Sequence, residues 1–138
     1  KTILGFFSDE PGFANEKGTT GPDGISDTLI GKATAPLSWS AELERRLRAA
    51  LGERYLAELP HLWDREPAGA HVRHVYMDIA STLYKECFCD QLGDWCRARG
   101  VQYIGHVIED KDCHARLGVG AGTTSAPWAV RTWRASTS

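Results

Sequence analysis

Two short, largely apolar runs constrain this chain more than any other feature: residues 3–7, Ile-Leu-Gly-Phe-Phe, and residues 101–108, Val-Gln-Tyr-Ile-Gly-His-Val-Ile. Runs of this length and composition read as strands buried on both faces, which is the habit of parallel sheets. Parallel neighbours cannot be joined by a tight hairpin, so the chain between them must cross over, and helical patterns fill that interval. Strand, long loop, helices and strand is the order of a β/α unit. The expectation is therefore an α/β fold with its strands parallel.

The helical patterns have clear ends. Ser38 or Ser40 can cap a first helix, because Glu42 and Glu44 then fall in its opening turn and Leu43, Leu47, Ala50 and Leu51 recur at helical spacing before Gly52. A short helix or turn over residues 53–59 leads into Pro60-His61-Leu62-Trp63, and Pro67-Ala68-Gly69 marks a further break. The strongest pattern runs over residues 70–99, where Val72, Val75, Tyr76, Ile79, Leu83, Cys87, Leu92 and Cys96 trace one apolar stripe. Arg97 and Arg99 suit the negative end of that helix, and Gly100 is placed to supply a left-handed cap before the second strand. Residues 13–37 carry no convincing period, and loops that long in compact domains usually have a function or lack order.

Both apolar runs end in acids. Asp9 and Glu10 follow the first, within Ser8-Asp9-Glu10-Pro11-Gly12, while Glu109 and Asp110 follow the second. Parallel strands would bring all four carboxylates to one edge, the C-terminal edge where β/α enzymes build their chemistry. Each has a bland rival: Glu10 as a capping or salt-bridged acid, Glu109 and Asp110 as a solvated loop pair. His106, within the second run, is either a hydrogen-bonded core histidine or a rim donor to a sugar hydroxyl.

Composition removes several alternatives. Sixteen basic against eighteen acidic residues leave a formal charge of -2, no footprint for nucleic acid or an anionic membrane surface. No apolar run approaches the roughly 20 residues needed to span a bilayer. Cys87, Cys89, Cys96 and Cys113 are too few and too clustered for a disulfide framework, and Cys87 and Cys89 would point to different faces of a helix, so no metal is assigned. Calcium at Asp23, Asp27 and the rim acids lacks an EF-hand spacing and stays unassigned, and no other cofactor is implied. A nucleotide-binding domain is disfavoured because acids follow Phe7 where a phosphate cradle needs glycine amides and a lysine. Trp39 and Trp63 could stack on sugars, but packing beside a helix explains them equally well.

Residues 1–122 read as one domain piece, and the entry straight into an apolar strand reads as a cut inside a longer protein. Residues 123–138 have neither helical nor strand period and are rich in Ala, Arg, Thr, Ser, Pro and Trp, the mix that GC-rich DNA yields out of frame. One permitted back-translation read two bases on gives His-Phe-Arg-Ala-Leu-Gly-Gly-Gln-Asp-Met, a helical sequence, and can continue into an apolar Ala-Gly-Ile-Asp-Val strand opening. The tail is accordingly read as out-of-frame translation beginning near Thr123.

Gly5-Phe6-Phe7-Ser8-Asp9-Glu10-Pro11-Gly12-Phe13, Leu92-Gly93-Asp94-Trp95-Cys96 and Tyr103-Ile104-Gly105-His106-Val107-Ile108-Glu109-Asp110 resemble large bacterial glycoside hydrolases of the alpha-L-rhamnosidase-like group. The resemblance implies a partial (β/α)8 TIM-type barrel holding about two consecutive β/α units. It implies a carbohydrate substrate and Glu10 as general acid or acid/base. The Asp-Glu-Pro turn also resembles the Asn-Glu-Pro of related retaining barrels, with Asp9 in place of the amide, so retention and inversion both stay open.

Glycoside cleavage needs an acid at the leaving oxygen and a second carboxylate about 5 Å away for retention or roughly 6.5–9.5 Å for inversion. Glu10 is the first candidate, kept protonated by the neighbouring Asp9 charge and by burial against Phe7 and Phe13. Glu109 is a candidate for the second, although that partner could equally come from a strand outside this chain. Asp9, His106 and Asp110 are the candidate substrate contacts. On this reading the chain alone is too incomplete to turn over. The rival is a carbohydrate-binding or structural barrel module without chemistry.

Overall fold

The computed structural model describes residues 3–9 and 37–105. The order is β1 (Gly5–Ser8), α1 (Ala41–Leu51), α2 (Tyr55–Glu58), 3-10 turns at Leu59–Leu62 and Pro67–Gly69, α3 (Ala70–Tyr84), a π-helical segment Lys85–Asp90, α4 (Gln91–Ala98) and β2 (Gln102–Gly105).

The expected partial barrel is not what forms. Of the described residues 67% are helical and 11% lie in strands, and the sheet consists of β1 and β2 alone. The reason lies in where apolar area is buried. Leu43 and Leu47 of α1, Leu62 of the first 3-10 turn, and Val72, Tyr76, Met77 and Ala80 of α3 make the core, with Leu37, Leu51, Leu59, Trp63, Val75, Ile79 and Leu83 packed against it. The strands add nothing to this core. Phe6, Phe7 and Ile104 are exposed, as are Ile3 and Leu4 beside them, so the sheet rests on the helices as an appendage rather than forming a barrel wall.

Local chemistry explains the helices. Ser40, not Ser38, caps α1: its backbone is extended and its Oγ accepts the Leu43 N–H at 3.1 Å. Gly52, at φ 77°, ends it and donates its N–H to the Arg48 carbonyl at 2.9 Å. Pro60 and Pro67 each sit in the opening turn of a 3-10 segment, where a missing N–H costs nothing. The Tyr76 hydroxyl donates to the Ser38 carbonyl at 2.7 Å, fastening the entry to α1 onto α3.

The single helix expected over residues 70–99 is instead α3 and α4 joined through Lys85–Asp90 in π geometry. A π segment widens the turn and shifts the apolar stripe. Cys87, placed on that stripe by an unbroken 3.6-residue period, is consequently exposed, while Cys96 beyond the shift is buried. On the outside, Arg46 of α1 forks onto Glu86 of the π segment, with Nη2 to Oε2 at 2.7 Å, and also reaches Glu42 at 2.8 Å.

Gly100 makes the return. It adopts φ 64°, its N–H donates to the Arg97 carbonyl and the Val101 N–H donates to the Cys96 carbonyl, the paired bonds of a Schellman ending. β2 therefore starts against the end of α4 and pairs in parallel with β1, in the register Gly5 with Gln102, Phe6 with Tyr103, Phe7 with Ile104 and Ser8 with Gly105.

Leu47 is fully buried at the α1–α3 contact. Leu47→Ala should lower stability by about 2–5 kcal/mol. Denaturant unfolding followed by helical circular dichroism checks this, and an unchanged midpoint would place the core elsewhere.

Candidate functional site at the strand ends

Parallel pairing sends both strands out of the sheet at one edge, where Ser8 stands beside Gly105. Alternation along the strands divides the side chains between two faces. Phe6, Ser8 and Tyr103 share the face turned towards α4, and the Phe6 ring meets Trp95 of α4 edge-on at 6.0 Å between centroids. Arg99 covers the Trp95 ring with its guanidinium carbon 3.9 Å from the centroid. Phe7 and Ile104 occupy the opposite face.

On the α4 side, Ser8 Oγ and the Tyr103 hydroxyl lie 2.6 Å apart, a hydrogen bond in which either oxygen can donate. Gly105 makes room for it: a Cβ at this position would sit 2.6 Å from Ser8 Oγ and 2.8 Å from the Ser8 carbonyl oxygen. Gly5 serves the same end at the start of the pair, since its Cβ would lie 2.4 Å from the Gln102 carbonyl oxygen.

The π segment forms a second shoulder close by. Tyr84 stacks on Phe88 with 5.2 Å between ring centroids. Burial raises the Tyr84 phenol above the usual tyrosine range, with Cys89 and Tyr103 adding to the effect. The Cys89 thiol is pushed up to about 11, mainly by burial and then by the charge of Asp90, with Lys85 opposing. Lys85 Nζ donates to Asp90 Oδ2 at 2.5 Å, so the ion pair of this segment satisfies itself. The side chains of this segment are thus a stacked aromatic pair, a thiol and a local ion pair.

A separate polar cluster joins the two 3-10 turns to α3. His61 Nδ1 and Asp64 Oδ2 are 2.6 Å apart, and Arg73 donates to the carbonyls of His61, Asp64 and Glu66. Gly69 packs so closely that a Cβ would meet Arg73 Nη1 at 2.6 Å. Arg73 thereby satisfies carbonyls the irregular backbone leaves over, a structural task.

Of the five residues expected to carry the chemistry, Asp9 is exposed at the end of β1, and Glu10, His106, Glu109 and Asp110 lie outside the described residues. So do Cys113, the loop residues Asp23 and Asp27, and the tail 123–138. Trp39 is exposed ahead of α1, and Trp63 packs on the helical core. Among the described residues no group of three or more His, Cys, Asp or Glu is placed to hold a metal, and no helix is long and apolar enough to cross a membrane. Sequence reasoning missed Ser8, Tyr103, Tyr84 and Cys89 as neighbours. The parity of Ser8 and Tyr103 in their strands could have paired them once the register was known.

No family model, curated protein or solved structure matches this chain.

The raised Cys89 thiol has a definite thermodynamic sign. Its folded value lies above the unfolded value of 9.0, so the stability it contributes is complete below about 9 and is lost as pH rises through about 11. Thermal melts of wild type between those limits should fall, and those of Cys89→Ala should fall less. Parallel decline in the two proteins would contradict the burial of this thiol.

Proposed function

We propose that the chain serves the hydrolysis of O-glycosidic bonds, with Glu10 as general acid or acid/base and Glu109 as candidate second carboxylate. One observation supports this above the others: β1 and β2 are parallel with Ser8 opposite Gly105, so the chain leaves both strands at a common edge. In sequence, Asp9-Glu10 follows Ser8 directly and Glu109-Asp110 comes four and five residues after Gly105. Glycoside cleavage requires two carboxylates flanking the scissile bond. The uncharged hydroxyl groups of Ser8, Tyr103 and Tyr84 beside that edge fit a neutral polyol, and the charge balance of the whole chain gives no advantage to a polyanion. Asp9, His106 and Asp110 are the proposed substrate contacts.

Leaving-group dependence tests the role of Glu10. General acid catalysis contributes roughly 10²–10⁴-fold where the departing alkoxide must be protonated, and much less where the leaving group is already a weak base. In the protein that carries this sequence, Glu10→Gln should therefore lower hydrolysis of methyl glycosides by that range while leaving dinitrophenyl glycosides far less affected. Equal rates for wild type and variant on methyl glycosides would remove Glu10 from the chemistry. Sugar binding without turnover in either protein would favour a carbohydrate-binding module.

A further inference from the structure

We infer that the Ser8–Tyr103 hydroxyl pair is a sugar-recognition element, which reads a hydroxyl group of the bound glycoside beside the acids that follow β1. The inference rests on the proposed glycosidase reading for its choice of ligand, and on the strand register for its geometry.

Two hydroxyls held 2.6 Å apart engage one O–H within the pair. The second O–H remains to donate, and lone pairs remain on both oxygens to accept. A sugar hydroxyl needs that combination, since it is itself both donor and acceptor. An anion would want donors alone, and a cation acceptors alone.

The surroundings hold the pair in place. Tyr103 is fixed by its position in β2 opposite Phe6, and Phe6 is packed edge-on against Trp95. Ser8 is fixed at the end of β1, one residue before Asp9, and Gly105 opposite it leaves the space a side chain would fill. Both hydroxyl-bearing residues are half-buried, and the hydrogen bond between them is part-buried. Tyr84 lies within electrostatic reach of Tyr103, and burial raises its phenol above the usual tyrosine range. It sits where α3 passes into the π segment, an irregularity that occurs frequently at functional sites. A helix continuing in α geometry would place Tyr84, Phe88 and Cys89 differently relative to β2.

The test is titration of the full chain with methyl glycosides of D-glucose, D-galactose, D-mannose and L-rhamnose, followed by NMR. At least one glycoside should bind wild type, and Tyr103→Phe and Ser8→Ala should each raise its Kd roughly two- to tenfold, the range a single hydrogen bond contributes. Glu53→Gln, an exposed change between α1 and α2, should bind as wild type does. Should Tyr103→Phe lose its helical circular dichroism, Ser8→Ala carries the same reading. Binding of all four sugars that is absent in wild type, or unchanged in both hydroxyl variants, overturns the inference. Glu10→Gln separates it from the proposed cleavage: Tyr103-dependent binding with no role for Glu10 in turnover defeats the cleavage reading alone. Glu10-dependent turnover with binding indifferent to Tyr103 and Ser8 defeats the recognition element alone.

Discussion

The parallel contact between β1 and β2 is the constraint on which the proposed site depends. It joins residues nearly a hundred positions apart, Ser8 and Gly105 at its far end, and parallel strands of this kind need a connection that carries the chain back to the starting edge. The helices are that connection. α1 and α3 bury the apolar core, α4 continues from α3 through the π segment, and the left-handed Gly100 reverses the chain so that β2 lies along β1. Two glycines set how closely the strands approach: Gly5 at one end, against the Gln102 carbonyl, and Gly105 at the other, against Ser8. Remove the room at Gly105 and the Ser8–Tyr103 hydrogen bond has nowhere to form.

The apolar core and the proposed site lie in different places. Leu47, Leu62 and Tyr76 are almost fully enclosed, and the helical layer they belong to is where truncation creates cavities. The sheet makes its own hydrogen bonds but keeps Phe7 at 60% and Ile104 at 43% exposure on the face away from α4. Two-stranded sheets are marginal when they stand alone. Here the pair is steadied from one side, by Phe6 against Trp95 and by the capped end of α4. The bulk of apolar burial thus lies in the helices and not in the sheet.

Much of the local structure was legible in the sequence. Ser40, Gly52 and Gly100 act through short-range rules of capping and positive φ, which depend only on immediate neighbours, so α1 and the return after α4 follow from them, while the two apolar runs mark the strands. The expected barrel failed because unbroken apolar character was taken to mean burial on both faces, whereas Phe7 and Ile104 are apolar and exposed. Periodicity alone also could not reveal the π segment, because KECFCD is compatible with a continuing α-helix. The candidate site was half legible. Acids at the ends of two strands stand out in one dimension, but the Ser8–Tyr103 pair and the approach of Tyr84 and Cys89 depend on register and on the π geometry.

Strand direction and register bear most directly on this picture. Backbone nuclear Overhauser contacts in the isotope-labelled chain distinguish the possibilities without disturbing any side chain. Parallel pairing in the described register predicts contacts linking Gly5 to Gln102 and Ser8 to Gly105. Crossed contacts, Gly5 to Gly105 and Ser8 to Gln102, would mean antiparallel strands, and the two acid-bearing segments would then leave from opposite ends of the sheet.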